Sequence, residues 1–563
     1  MKKPLLSELT LREKIGQCLC VPQFDLHVKT EVGRDVLRTK EERIALVEQE
    51  QFGCVWCHGG QDFKQIDLTA DFSISTGPKI PAKEYREWIK ETQSKLKIPA
   101  LNSIDAETGA SGTFSDMSTS CAPLSVGATD SEEYAFELGA ALGKELLCAG
   151  INWRWAPPAD ICNRFEFCGG AMRSFSQVPD KLIRLAKAHI KGMQSVGVAA
   201  TLKHFPGSDG KEFRDDHFTP TMNRATKEEW LKDIGIVYKE IIEDGVYAVM
   251  TSHMAFPGCD STKINGLYIP ATLSYKITTE LLKGEFGFKG VVITDGITMG
   301  GLSAFYDHDD LIVEIMKAGN DVILSCGIHD VEILEKAVLD GRLPESRIDD
   351  ACQRVLDMKE KIGLFKDDYS LDTCETKDVT PNTQKLIAEI SDKSMTIVRN
   401  ENNMLPFDKK KIKNVAIIIS THTEGFTKEV NEFLVLEFEK RGINVTTQRR
   451  LDSLDQLKKI DEENDIIIYA AYLGVHAPKG GLFFFGEECQ TFHHAFTYGK
   501  EKSVGVSFGY PYIHYDIMGA ANAFINAYSS SKFAMESFVK ALLGEIPFEG
   551  VSPVDLGPTY LEW

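Results

Sequence analysis

Eight short apolar runs recur between residues 17 and 325, each bounded by polar, Gly or Pro residues. They are Gln17 to Val21, Cys54 to His58, Pro99 to Ile104, Asn152 to Pro157, Gly197 to Leu202, Tyr247 to Thr251, Gly290 to Thr294 and Asp321 to Ser325. Runs this short, rich in Val, Ile and Leu and closed by turn residues, predict buried strands. The stretches between them predict helices, among them Tyr85 to Lys95, Glu132 to Leu147, Lys181 to Ser195, Lys227 to Glu243, Ser274 to Glu285, Leu311 to Ala318 and Ile348 to Lys359. Strands alternating with helices in this way predict an α/β chain whose residues 1–366 form a (β/α)8 TIM-type barrel. A doubly wound sheet is the alternative topology.

The pattern then changes. Asp367 to Thr380 is polar and rich in charge and Thr, and reads as a linker; Leu386 to Ile397 reads as a connecting helix, so 367–410 joins two domains. A second alternation follows over 411–563. Asn414 to Ile419, Ile443 to Thr446, Asp465 to Tyr469 and Val504 to Phe508 predict strands; Lys428 to Arg441 and Lys532 to Leu543 predict helices. This is a smaller open α/β sandwich domain. It carries no GxGxxG or P-loop at a strand end, so no nucleotide role is expected.

Polar residues fall where chemistry would need them. Asp105, Lys203-His204, Ser252-His253 and Asp295 all stand at the C-terminal ends of predicted strands. That end of a TIM-type barrel carries the active site, and the other end carries stability. The loop after Lys203-His204-Phe205-Pro206-Gly207 is too polar for a core and sets Asp215 two residues from His217. It reads as a catalytic mouth or as a charged surface loop.

Composition narrows the partners. Apolar content of 43% and charged content of 26% are ordinary globular values. A formal net charge of −20 argues against nucleic acid and against an anionic membrane surface. No run approaches the ~18 apolar residues of a membrane span, and Met1 to Leu9 lacks the apolar core of a signal peptide. Thirteen cysteines without a framework pattern read as reduced thiols in a cytoplasm. Cys54-Val55-Trp56-Cys57-His58 has the spacing of a c-type haem attachment, but it lies in a strand-like run and reads as small apolar cysteines on a barrel strand. No cofactor and no metal are expected.

Several motifs carry a family likeness. Lys203-His204-Phe205-Pro206-Gly207 with a loop ending Asp215-Asp216-His217 resembles glycoside hydrolase family 3, in its two-domain β-N-acetylglucosaminidase (hexosaminidase) branch. Where that branch carries His-Gly after the Pro-Gly, Ser208-Asp209 stand here. Leu11 to Gln17, Ile104 to Gly109, Met172-Arg173-Ser174-Phe175, Ile293 to Gly300, Asn400 to Pro406 and Ile525 to Ser529 are similar to further family segments, in the same order along the chain.

The resemblance implies a retaining, exo-acting β-glycosidase for terminal β-linked N-acetylglucosamine. Its partner would be a small carbohydrate, a β-linked amino sugar oligosaccharide or glycoside. Glycoside cleavage develops positive charge on the anomeric carbon, and a carboxylate beneath it can form a covalent intermediate; Asp295 matches the family's nucleophile. His217 matches the acid/base, oriented by Asp215, and an imidazole suits the task because it titrates near neutrality. Asp216 is the rival carboxylate. Asp105, Arg173, Lys203 and His204 match sugar ligands, with His253 a further candidate; Asp160 either supports the site or ends a loop. The alternatives are a β-glucosidase or β-glycoside phosphorylase on the same scaffold, a metal-dependent barrel hydrolase built on His204, His217, His253 and Asp295, and a non-catalytic carbohydrate-binding protein.

Overall fold

All eight apolar runs contribute to one parallel sheet. Its strands are β1 (Leu19–Pro22), β2 (Cys54–Trp56), β3 (Leu101–Ile104), β4 (Trp153–Arg154), β5 (Ala199–Phe205), β6 (Ala248–Thr251), β7 (Val291–Thr294) and β8 (Ile323–Leu324). The sheet order is β7-β6-β5-β4-β3-β2-β1-β8. A parallel bridge between Ile293 and Val322 joins its two ends, so the sheet closes into a (β/α)8 barrel. This computed structural model describes residues 2–556 apart from 24–25, 27, 32–33, 58–78, 162–171, 209–210, 213, 373, 474–483, 485–486 and 517. His58, expected at a strand end, and Asp209 lie outside the described residues.

The strand ends shift for local reasons. Gln17 closes a helix, Leu11–Gln17, whose Thr10 and Glu13 form a capping box. β4 is short, ending at Arg154 ahead of the Pro157-Pro158 pair. β5 runs further than its apolar stretch, through Lys203, His204 and Phe205. The barrel interior is filled by residues such as Cys20, Cys54, Leu101, Trp153, Met250, Ile293 and Leu324. Outside it lie, among others, α1 (Pro123–Thr129), α2 (Glu132–Cys148), α3 (Pro179–Ser195) and α4 (Glu345–Lys361).

Part of the stretch read as a linker is helical. Helix α5 (Thr376–Ser394) begins inside it and buries Thr383, Ile387 and Ile390, with Pro381 near its start. Strand β9 (Thr396–Asn400) follows, in place of the last residues expected to be helical. It joins β10 (Asn414–Thr421), β11 (Asn444–Gln448), β12 (Ile466–Tyr472), β13 (Ser503–Ser507) and β14 (Ala523–Asn526) in a six-stranded sheet ordered β9-β14-β13-β12-β10-β11. Only β9 runs antiparallel in that sheet.

The two domains share a core: Leu124 and Ala128 of α1 pack with Ile418, Ile467, Tyr469 and Phe524 of the second sheet. The reading of thiols as reduced is corrected at one pair, because Cys148 at the end of α2 forms a disulfide with Cys374, 226 residues away. Among the described residues, no helix is long and apolar enough to cross a membrane.

Candidate active site

The C-terminal mouth of the barrel gathers charge from five strands. Asp105, Ala106 and Glu107 leave β3, with Ala106 in the left-handed region at φ 44°, an uncommon conformation for a residue with a side chain. Arg154 on β4 is buried and supports this turn: its Nε donates to Ala106 O at 3.0 Å and its Nη2 to Glu107 O at 2.8 Å.

Glu107 is the hub of the cationic side. Arg173 grips it with two bonds of 2.7 Å, and Lys203 Nζ reaches Oε1 at 2.5 Å. Lys203 also reaches Asp105 Oδ1 at 3.1 Å. Burial opposes the charged form of Glu107, but Arg173 and Lys203 outweigh it and hold the carboxyl well below its ordinary range. Sequence reasoning placed Glu107 inside a motif without giving it a role. The signal was its position two residues after Asp105, but the partners that make it a hub are distant in sequence.

The anionic side is built around Asp295, which leaves β7. Its backbone N–H is held by Thr251 O at 3.0 Å, and its Oδ1 accepts from the Gly296 N–H at 2.7 Å. Burial would raise its pKa, yet His204, His253, His217 and Lys203 together push it down to about 2. Asp295 is therefore a carboxylate at any working pH. His204 gives Nδ1 to Asp160 Oδ2 at 2.6 Å, which turns Nε2 toward Asp295 Oδ2 at 4.0 Å. Asp160 thus orients a ring in the mouth.

Asp215 and His217 form a dyad. Asp215 Oδ1 accepts from the His217 backbone N–H at 2.9 Å and from Nδ1 at 2.7 Å. That leaves Nε2 as the nitrogen able to give or take a proton. Burial works against the imidazolium, but the bond to Asp215, with the charges of Asp216 and Asp295, raises the His217 pKa above its ordinary value. Asp216 lies 3.9 Å from His217 Nδ1. Burial and the charge of Asp295 raise the Asp216 pKa.

The dyad loop is docked on the turn after Asp295. Gly300 N–H donates to His217 O and Gly301 N–H to Asp216 O, both at 2.8 Å. A Cβ on Gly301 would stand 2.6 Å from Asp216 O, so the close approach requires glycine there. Glu212, fully buried, pins the loop's start through Arg214 at 2.6 Å and Arg224 at 3.3 Å.

His253, expected among sugar ligands, is placed differently. It is 1% exposed, with Nδ1 on Thr272 Oγ1 at 2.9 Å and Nε2 on Gly296 O at 2.8 Å. Both nitrogens are engaged by protein groups, so the ring supports the backbone after Asp295. With both nitrogens engaged, His253 does not offer the ligand atom that a metal site built on His204, His217, His253 and Asp295 would need. Among the described residues, Asp215, Asp216 and His217 offer ligand atoms within 4.8 Å of one another, but His217 Nδ1 is bonded to Asp215.

The fold is that of the barrel glycosidases. The model of the glycosyl hydrolase family 3 N terminal domain matches residues 10–358, more than half of the chain, and the protein belongs to that family. The chain is similar to a β-N-acetylglucosaminidase/β-glucosidase of Cellulomonas fimi, 27% identical over 480 residues, covering 82% of this chain and 85% of the relative. It is also similar to the solved structure of the β-glucoside phosphorylase BglX, with TM-score 0.82 and 25% identity, covering 98% of this chain and 94% of the other. A family 3 β-N-acetylglucosaminidase from Paenibacillus sp. str. FPU-7 shares the fold, with TM-score 0.78 at 24% identity over 97% of this chain and 99% of the other.

Proposed function

We propose that this glycosidase is a retaining, exo-acting β-N-acetylglucosaminidase. The observation that carries the reading is the pairing of a strongly acidic Asp295 with a basic His217, whose Nδ1 is fixed by Asp215 at 2.7 Å. Glycosidases divide their work between groups whose pKa values are pushed apart. Asp295 attacks the anomeric carbon and forms a glycosyl ester. His217 protonates the departing oxygen, then takes a proton from the incoming water. Asp105, Arg173, Lys203 and His204 hold the sugar hydroxyls, as carboxylates accept and cations donate. Similarity to the Cellulomonas fimi enzyme supports an N-acetylglucosamine or glucose ring at the non-reducing end.

A second reading, transfer to phosphate, is favoured by the likeness to the β-glucoside phosphorylase. An acid/base that is an imidazole repels a phosphate less than a carboxylate would. Asp216, a further carboxyl 3.9 Å from His217 Nδ1, weighs toward water as the acceptor. A panel of 4-nitrophenyl β-glycosides, run with and without phosphate and followed by NMR, tests both readings. The proposal expects N-acetylglucosamine released as the β anomer and no sugar 1-phosphate. An α anomer as first product would contradict it, and sugar 1-phosphate as the main product would favour the second reading.

A further inference from the structure

The second domain grips the segment that carries Arg173. Ser174, Phe175 and Ser176 are all buried, so the three residues after Arg173 form a stiff link. At the far end of that link, Ser176 Oγ donates to Pro553 O at 2.6 Å and the Gln177 N–H donates to the same oxygen at 3.2 Å. Tyr512 OH bonds Gln177 Oε1. Met172, on the other side of Arg173, packs into the core shared by the two domains.

The strap around Pro553 is itself seated on the barrel. Val551 N–H donates to Ala128 O at 2.9 Å, and Ser552 Oγ donates to Val554 O at 2.7 Å. Gly127 of α1 makes room at the crossing: a Cβ there would stand 1.8 Å from Phe175 O and 2.9 Å from Pro553 Cβ. Three segments, from α1, the Arg173 link and the C-terminal strap, thus meet at one glycine.

We propose that residues 551–554 and Tyr512 are positioning elements for Arg173, so that the second domain sets the sugar-binding geometry without touching the sugar. The proposal rests on the reading of Arg173 as a sugar ligand. Arg173 is held at its guanidinium end by Glu107, and the chain that follows it is held at Ser176 and Gln177 by this clamp. A guanidinium presents its donors in a fixed plane, so a small shift of its backbone misaims them. Loss of the clamp therefore weakens sugar binding more than it slows the chemical step.

The test is a double-mutant cycle in the full-length enzyme. Ser176→Ala and Tyr512→Phe are combined, and KM, kcat and melting temperature are measured with the 4-nitrophenyl β-glycoside that wild type turns over best. The same pair is then made in an Arg173→Lys background. Groups acting through one another give non-additive effects, whereas independent ones add. The expected result is a rise in KM of roughly 3- to 10-fold with kcat within twofold, and no further rise in the Arg173→Lys background. A fall in melting temperature with KM unchanged would overturn the clamp. So would an equal rise in KM in both backgrounds, with Arg173 still needed for binding. If Arg173→Lys alone left KM unchanged, the sugar-ligand reading would fail first and the clamp with it.

Discussion

At the scale of the residue, the mouth separates two jobs by environment. Asp295 is surrounded by His204, His253, His217 and Lys203 and stays ionised; His217 is surrounded by Asp215, Asp216 and Asp295 and keeps its proton longer. His217→Ala should therefore slow natural oligosaccharides by about 10² to 10⁴-fold. It should slow the first step much less for a 4-nitrophenyl glycoside, whose phenolate leaves unaided. Azide should restore the second step and yield a β-glycosyl azide; equal slowing of both substrates with no azide effect would make His217 a binding residue. The same pKa shift sets a pH limb. The acid must be protonated, and its pKa is raised, so kcat/KM should fall only as pH rises above roughly 6.5, the ordinary histidine value. That limb should vanish in His217→Ala.

Glu107 carries the stability of the cationic side. Glu107→Gln would leave Lys203 and Arg173 without their main counter-charge, and removing one partner from a buried ion pair costs about 3–5 kcal/mol. Because its pKa is depressed, its contribution is present above roughly pH 4.3, the unfolded value, and is lost as pH falls further. Thermal melts of wild type and Glu107→Gln should thus differ most at neutral pH and converge in acid. A constant difference across that range would argue against the ion pair as the cause. Glu107 shows what the sequence hides: it stands two residues from Asp105, but its partners arrive from positions 173 and 203. His253 shows the opposite limit. It obeys the strand-end rule, yet its ring points into backbone and hydroxyl partners, a matter of rotamer that no spacing reveals.

At the scale of the element, the barrel strands were legible because each is an apolar run with a sharp end. The polar residues at those ends, Asp105, Lys203, His204 and Asp295, lie near one another at the C-terminal end of the barrel. What was less legible was β9, whose Thr-Ile-Val-Arg-Asn is mostly half-buried and begins one residue after helix α5, and β14, whose Ala-Phe-Ile-Asn lies among alanines without a sharp end. The dyad loop illustrates a further limit. Asp215-Asp216-His217 could be read, but its seat on Gly300 and Gly301 could not, since only the fold brings them together. Gly301→Ala should push Asp216 O outward and misplace His217. A displacement of about 1 Å at a catalytic group can cost about 10²-fold. The loss should be larger for poor leaving groups than for 4-nitrophenolate, as for His217→Ala. A loss independent of the leaving group would point to a general distortion.

At the scale of the whole molecule, the formal net charge is −20, while the mouth concentrates Lys203, Arg173, His204 and His217 locally. The second sheet closes one flank of the barrel and shares its core. The proposed mechanism requires Asp295 to become covalently joined to the sugar. Incubation with 5-fluoro-N-acetyl-β-glucosaminyl fluoride, followed by peptide mass spectrometry, tests it directly, because fluorine at C5 slows the second step and traps the ester. The account predicts one added glycosyl unit on the peptide containing Asp295, and none in Asp295→Asn. A label on Asp215, Asp216 or Glu107, or turnover retained in Asp295→Asn, would contradict it.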